Sequence, residues 1–237
     1  MGIALVAGGT SGVGLATARR LQVRGYDVHL TGRGKERLDD VAASDPQLTG
    51  HRADGGDAAA MAALAESLGT VDVLVVCLTG GGGMGPIAEL DLATLRRAFD
   101  AKFWTHLVTV KAVLPHLAVN GSITLLSGMT ARAAVPGTAG IGAVNAAVES
   151  LVRPLAVELA PRRVNAVSPG FVDTPWWGRF PPEVREERFA RTAATAPVRR
   201  VATADDIAEV VALAATNANL SGTVLEADGG AHLVSMD

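Results

Sequence analysis

The chain has one tyrosine, Tyr26, and one cysteine, Cys77, in 237 residues, and all aromatic residues together make up 4% of it. A lone cysteine excludes an intrachain disulfide and points to a reducing compartment. No apolar run reaches the length of a membrane span. The apolar stretch from Met1 to Ala7 is too short for a secretion signal and runs straight into a glycine-rich turn. A formal net charge of −3 leaves no basic footprint for nucleic acid or an anionic membrane. His29, His51, His106, His116 and His232 are scattered without metal-ligand spacing, so no metal site is expected. These absences describe a cytoplasmic protein whose partner is a small molecule.

What is present is apolar and regular. Hydrophobic residues are 49% and charged residues 19%, a balance that suits a buried parallel sheet covered by helices. The length fits one domain over residues 1–237. Ile3–Ala7, Asp27–Thr31, Gln47–Ala53, Val71–Leu78, Ser122–Ser127, Arg163–Ser168 and Thr223–Glu226 read as strands. Between them, Gly12–Arg24, Lys35–Ala43, Asp57–Leu68, Leu92–Leu117, Gly140–Leu159 and Ala204–Thr216 have helical period, the last with Thr203 as its cap. This alternation predicts an α/β fold with a doubly wound parallel sheet. Pro154 should bend the helix that contains it. Five glycines between Thr79 and Pro86 predict a loop that is mobile or that brings backbone close to a ligand.

Gly8, Gly12 and Gly14 follow the first strand and open the first helix. In that context glycine permits the sharp turn and brings backbone N–H groups to a pyrophosphate at a helix N-terminus. Gly8, Thr10, Ser11, Gly12, Val13 and Gly14 are therefore expected to hold a dinucleotide. The second strand ends Leu30-Thr31-Gly32-Arg33 with no carboxylate for a ribose 2′-hydroxyl. The Arg33 fork suits a 2′-phosphate instead, with Thr10 and Ser11 hydroxyls nearby, which favours NADP(H) over NAD. Asp54 is placed beside the adenine, and Leu78 on the cofactor wall.

The spacing Gly8-x-x-x-Gly12-x-Gly14, the stretch Arg163-Val164-Asn165-Ala166-Val167-Ser168-Pro169-Gly170-Phe171-Val172-Asp173-Thr174-Pro175 and the ending Ser221-Gly222-Thr223-Val224-Leu225-Glu226-Ala227-Asp228-Gly229-Gly230 resemble the short-chain dehydrogenase/reductase family. The resemblance implies a single Rossmann-fold domain with a seven-stranded parallel sheet, NAD(P)(H) binding, and a homotetramer or homodimer formed through two long helices and the C-terminal edge. It also implies that Pro169, Gly170, Val172 and Thr174 lie near the nicotinamide carboxamide.

The family's active site uses Asn, Ser, Tyr and Lys. Ungapped alignment puts these on Lys102, Gly128, Ile141 and Asn145, so all four positions differ. The family's Asn-Asn-Ala-Gly after the fourth strand falls on Val76-Cys77-Leu78-Thr79. The Asn and Lys positions have traded residue types, so an amine is expected to reach the site from a different helix. Lys102 is the candidate for electrostatic or proton-transfer duty. Asn145 is its expected partner, and Ser127 or Thr130 the source of a carbonyl-facing hydroxyl. His106, one turn on, reads first as a packing histidine and second as a helper, and Trp104 reads first as core packing and second as a shield for Lys102. One of Trp176 and Trp177 is expected to line an apolar substrate pocket. The leading expectation is an NADP(H)-dependent oxidoreductase on a small carbonyl or alcohol. The alternatives are a non-catalytic NADP(H)-binding sensor or assembly subunit, and a non-redox cyclase or isomerase on the same fold.

Overall fold

The computed structural model describes residues 2–234. Its strands are β1 (Ile3–Ala7), β2 (Asp27–Gly32), β3 (Leu48–Arg52), β4 (Val71–Val76), β5 (Leu117–Leu126), β6 (Arg163–Pro169), β7 (Val172–Asp173), β8 (Ala202–Thr203) and β9 (Val224–Ala227). Seven of them form one parallel sheet in the order β3-β2-β1-β4-β5-β6-β9, and β7 pairs with β8 alone. The α-helices are α1 (Gly12–Val23), α2 (Lys35–Ser44), α3 (Ala58–Leu68), α4 (Leu92–Phe99), α5 (Thr105–Val113), α6 (Ala139–Ser150), α7 (Val152–Glu158), α8 (Pro182–Thr195) and α9 (Ala204–Thr216).

Strand alternation divides the core in two. Ala4 and Val6 of β1, with Val73 and Val75 of β4, join the layer under α1 and α9. Leu5 and Ala7, with Leu74 and Val76, join the layer under α3 and α5. Because successive side chains point to opposite faces, strands buried on both faces must be apolar at every position, as β1 is throughout and β4 is from Val73 to Val76. Tyr26 packs against the first layer as an ordinary core aromatic. Among the described residues no helix is long and apolar enough to cross a membrane.

Two predicted helices and one strand boundary need correction, and one helix was not expected. The helix expected over Leu92–Leu117 is α4 and α5 joined by a π-helical turn, Asp100–Trp104, and it gives way to the 3-10 turn Leu114–His116. Pro115 cannot continue the α ladder, and β5 starts at Leu117, five residues earlier than the apolar run suggests, with a register shift opposite Val71 to Val73. The helix over Gly140–Leu159 breaks at Leu151. Pro154 thereby falls in the first turn of α7, where its missing N–H deprives the helix of nothing. Finally, α8 was not expected. Its start signal is Pro182 in the first turn, masked in the sequence by the neighbouring prolines and tryptophans.

Thr203 caps α9 as expected, in a reciprocal box: its hydroxyl accepts from the Asp206 N–H at 3.2 Å, and Asp206 accepts from the Thr203 N–H at 2.8 Å. Hydrogen bonds from Arg200 hold the Asp206 carboxyl well below the ordinary carboxylate range. A lowered folded-state value means that this contribution to stability is present above the unfolded carboxylate range and is lost as pH falls below it. Thr203→Ala should lower stability by about 1 kcal/mol, measured as a shift in the urea midpoint at unchanged slope.

Candidate functional site

The strand order reverses around β1, which pairs with both β2 and β4, and a cleft of about 2250 Å³ opens beyond their carboxyl ends. Pockets of about 300–1,000 Å³ suffice for a drug-sized ligand, so this cleft has room for a dinucleotide and a second molecule. Gly8, Thr10, Ser11, Gly12, Val13, Gly14, Arg33, Asp54, Leu78, Pro169, Gly170, Val172 and Thr174 all line it, as do Lys102, Ser127 and Asn145.

The turn after β1 is built for close backbone approach. Gly8 has φ +82°, a conformation that disfavours any side chain. A side chain on Gly14 would run into the Gly8 carbonyl oxygen. Ser11 precedes α1 without giving it a side-chain cap, and no acidic residue enters the first turn. The positive end of α1 is therefore uncompensated, and this donor set fits a phosphate group. Past β2, Arg33 is 80% exposed and lies 3.8 Å from Asp54, so its fork is open to a 2′-phosphate. Asp54 also accepts from the Gly56 N–H at 2.9 Å, which fixes the loop after β3.

Lys102 enters the cleft from the π-helical turn. Wider turns of this kind leave carbonyls outside the regular ladder and often occur at functional sites. Here the single O–H of Thr105 is shared between the Ala101 and Lys102 carbonyls, each at 2.9 Å, and His106 Nδ1–H donates to the Lys102 carbonyl at 2.8 Å. The Lys102 side chain is buried. Its Nζ donates to the Ser127 carbonyl at 2.8 Å and to Asn145 Oδ1 at 2.6 Å. Asn145 Nδ2 in turn donates to Thr130 Oγ1 at 2.8 Å. A side chain on Gly128, at the position where the resemblance places serine, would press on Asn145 Nδ2. The absent serine thus makes room for the relocated amide. Burial lowers the Lys102 pKa to about 8, and Cys77 and Glu149 pull the other way. Burial pushes the Cys77 thiol up to about 12, so it stays neutral and Glu149 is the standing negative charge.

Glu149 is the site residue that sequence reasoning missed. It accepts from the Ser127 hydroxyl at 2.7 Å and pairs with Arg132 at 2.8 Å, its side chain only 9% exposed. Its position four residues after Asn145 on α6 was the available signal, since residues so spaced share a helix face.

Other expectations change. The Ser127 hydroxyl does not face a substrate carbonyl: it is held by Glu149 and the Val167 carbonyl, and only the Ser127 backbone carbonyl meets Lys102. Thr130 is left as the hydroxyl on the cleft wall. His106 is a packing histidine, the first of its two readings. It is fully buried, burial drives its pKa down to about 3, and it lies off the cleft because the π turn breaks the four-residue periodicity. Trp104 is 51% exposed and does not shield Lys102. The glycine loop after β4 is tied down, with Gly83 O accepting from Ile141 N–H and Gly85 N–H donating to Gly137 O, both at 2.8 Å. Both tryptophans line the cleft, as was expected of one of them; Trp177 is buried with its Nε1–H donating to the Val172 carbonyl, and Trp176 is half-buried.

Comparison with known proteins agrees with this layout. A family model described as enoyl-(acyl carrier protein) reductase matches residues 7–232. The chain is 35% identical to cis-4-hydroxycyclohexanecarboxylate dehydrogenase of Sinomonas cyclohexanicum, with 96% of this chain and 95% of that protein covered. It is 30% identical to 2-(R)-hydroxypropyl-CoM dehydrogenase of Xanthobacter autotrophicus, covering 96% and 97%. Among solved structures it is similar to a small-chain dehydrogenase in complex with NADPH, with TM-score 0.86, 33% identity and coverage of 98% and 99%. It is also similar to an NADPH-bound short chain oxidoreductase from Pseudomonas aeruginosa PAO1 described as containing an atypical catalytic center, with TM-score 0.85, 28% identity and coverage of 97% and 96%.

Removing the Glu149 charge should disfavour the Lys102 cation. In Glu149→Gln the Lys102 titration midpoint, followed by carbon-13 NMR of its ε-carbon, should fall below the wild-type value of about 8. An unchanged or higher midpoint would show that Glu149 does not act on the amine.

Proposed function

The chain belongs to the short-chain dehydrogenase/reductase family, and from that membership we propose an NADP(H)-dependent oxidoreductase that acts on a small carbonyl or alcohol, with Lys102, Asn145 and Thr130 replacing the family's tyrosine and lysine. The observation that carries this reading is the buried Lys102 ammonium on the cleft wall, hydrogen-bonded to Asn145 and the Ser127 carbonyl. The donor-rich turn at Gly8–Gly14 and the open Arg33 fork would hold the dinucleotide's pyrophosphate and 2′-phosphate. When bound, the nicotinamide supplies or accepts the hydride.

The chain's own residues handle the oxygen and its proton. The Thr130 oxygen accepts from Asn145, which leaves its O–H to donate to a substrate oxygen. Two of the three Lys102 N–H groups are engaged, and the third remains for the reacting oxygen or an intervening water. As negative charge develops on a carbonyl oxygen during reduction, the ammonium gives up a proton and becomes a neutral amine. Oxidation of an alcohol runs the same transfer in reverse. A lysine whose pKa is lowered toward the working pH is suited to both directions. Asn145 fixes the amine and the hydroxyl relative to each other, and the Ser127 hydroxyl, held by Glu149, fixes the carbonyl that the amine rests on.

Reduction requires the protonated amine, so its rate should fall as pH rises through about 8, while oxidation should rise over the same range. Lys102→Met should lower turnover by about 10²–10⁴ and leave NADPH affinity within a few fold. Thr130→Val should also lower turnover, with Thr130→Ser restoring it. NADPH consumption over a panel of aldehydes and ketones measures all three. Wild-type turnover in Lys102→Met would discard the assignment, and tight NADPH binding without turnover on any substrate would favour a nucleotide sensor. A homodimer or homotetramer completes the proposal: Leu92 on α4 and Trp104 after it are 60% and 51% exposed, and a second copy would cover them. A monomeric mass by light scattering would refute that part.

A further inference from the structure

Five arginines line the cleft. Arg33 lies 3.8 Å from Asp54 and Arg97 lies 3.7 Å from Asp91. Arg37, Arg179 and Arg188 make no ion pair to a carboxylate among the described residues, and of these three Arg179 has its head group held by its neighbours. Its Nε donates to the Trp176 carbonyl at 3.0 Å, and its guanidinium lies over the Trp176 ring at 4.6 Å from the centroid. Stacking of this kind holds the plane of the fork and leaves its outer N–H groups free. From the segment after β7, the fork reaches across to the loop after β4. A side chain on Gly81 in that loop would occupy the space of Arg179 Nη1. Partial burial lowers the Arg179 pKa, and no acidic neighbour offsets that effect.

A fixed, partly desolvated fork that spans a ligand cleft without a protein anion is arranged to meet an anion brought by a ligand. We propose that Arg179 is the anion clamp of this cleft, taking an oxyanion that arrives either as the carboxylate of an organic-acid substrate or as a phosphate of the dinucleotide. The proposal deepens the oxidoreductase reading and rests on it for the dinucleotide's place in the same cleft. It gives Trp176 the role of a stacking platform and Gly81 that of the space into which the fork extends.

Isothermal titration of the purified protein separates the two sources without requiring turnover. One arm uses NADPH. The other uses cyclohexanecarboxylate and its neutral amide, with and without saturating NADP+. Arg179→Gln should weaken one of the two anions by about tenfold or more, the loss expected of one charge-assisted hydrogen-bonded contact, and leave the amide unchanged. Arg179→Lys, which keeps the charge and loses the fork, should fall between. Gly81→Ala should weaken the same anion as Arg179→Gln, because it displaces the guanidinium without deleting it, and far-UV circular dichroism checks that both variants stay folded. A loss confined to NADPH assigns the clamp to a phosphate, and a loss confined to cyclohexanecarboxylate assigns it to the substrate. Wild-type affinity for both anions in Arg179→Gln would overturn the proposal, as would an equal loss for the carboxylate and the amide with NADPH unaffected. If no nicotinamide is turned over, the oxidoreductase reading fails while the titration still reports on the clamp.

Discussion

The hydrogen bond from the Lys102 ammonium to the Asn145 amide oxygen constrains everything around it in the cleft. A cation taken out of water is tolerated only when its donors are matched. Lys102 meets that demand with Asn145 Oδ1 and the Ser127 carbonyl, and its remaining N–H faces the cleft. Asn145 can turn its oxygen to the amine only if its nitrogen finds an acceptor elsewhere, which Thr130 provides. The Ser127 carbonyl is a firm support because Glu149 and the β6 carbonyl of Val167 hold its hydroxyl. A π-helical turn then aims the lysine inward while Phe103 packs on the second core layer and Trp104 is exposed.

The nucleotide end of the cleft depends on different parts of the chain. It consists mainly of backbone: a turn at Gly8, an uncapped helix start at α1, and the carboxyl ends of parallel strands. The chemical end consists of side chains on α6, on the π turn and on the short turn after β5, with the Ser127 backbone carbonyl. The two ends share walls but no hydrogen-bonding group. Side chains at the chemical end can therefore be exchanged while the phosphate cradle stays untouched, as the function proposed above for Lys102, Asn145 and Thr130 requires.

That division explains how much the sequence revealed. Glycine spacing and strand-helix alternation are local signals, so the parallel sheet, the first turn and the Thr203 cap could be read directly. The traded residue types at 102 and 145 were also visible, and the structure brings the two side chains to 2.6 Å. Hydroxyl direction was not legible: Ser127 and Thr130 are three residues apart, and only the packing of β5 against α6 decides which of them turns to Glu149 and which to the cleft. The π turn was hidden because its composition continues the helical pattern on either side. It leaves Trp104 exposed, against a reading that packed it in the core, while His106 is buried as its first reading had it. The α8 segment has little apolar periodicity, and its start was obscured by Pro181, Trp176 and Trp177.

The fit between Gly128 and Asn145 bears on how this arrangement could change over time. A serine introduced at 128 alone would press on the amide nitrogen of Asn145, and a lysine introduced at 145 alone would set a second ammonium against Lys102. Either of these two isolated steps back toward the family's usual residues meets a close contact or a repulsion at its neighbour. Residues 128, 145 and 102 are therefore coupled, and a change at one asks for a matching change beside it.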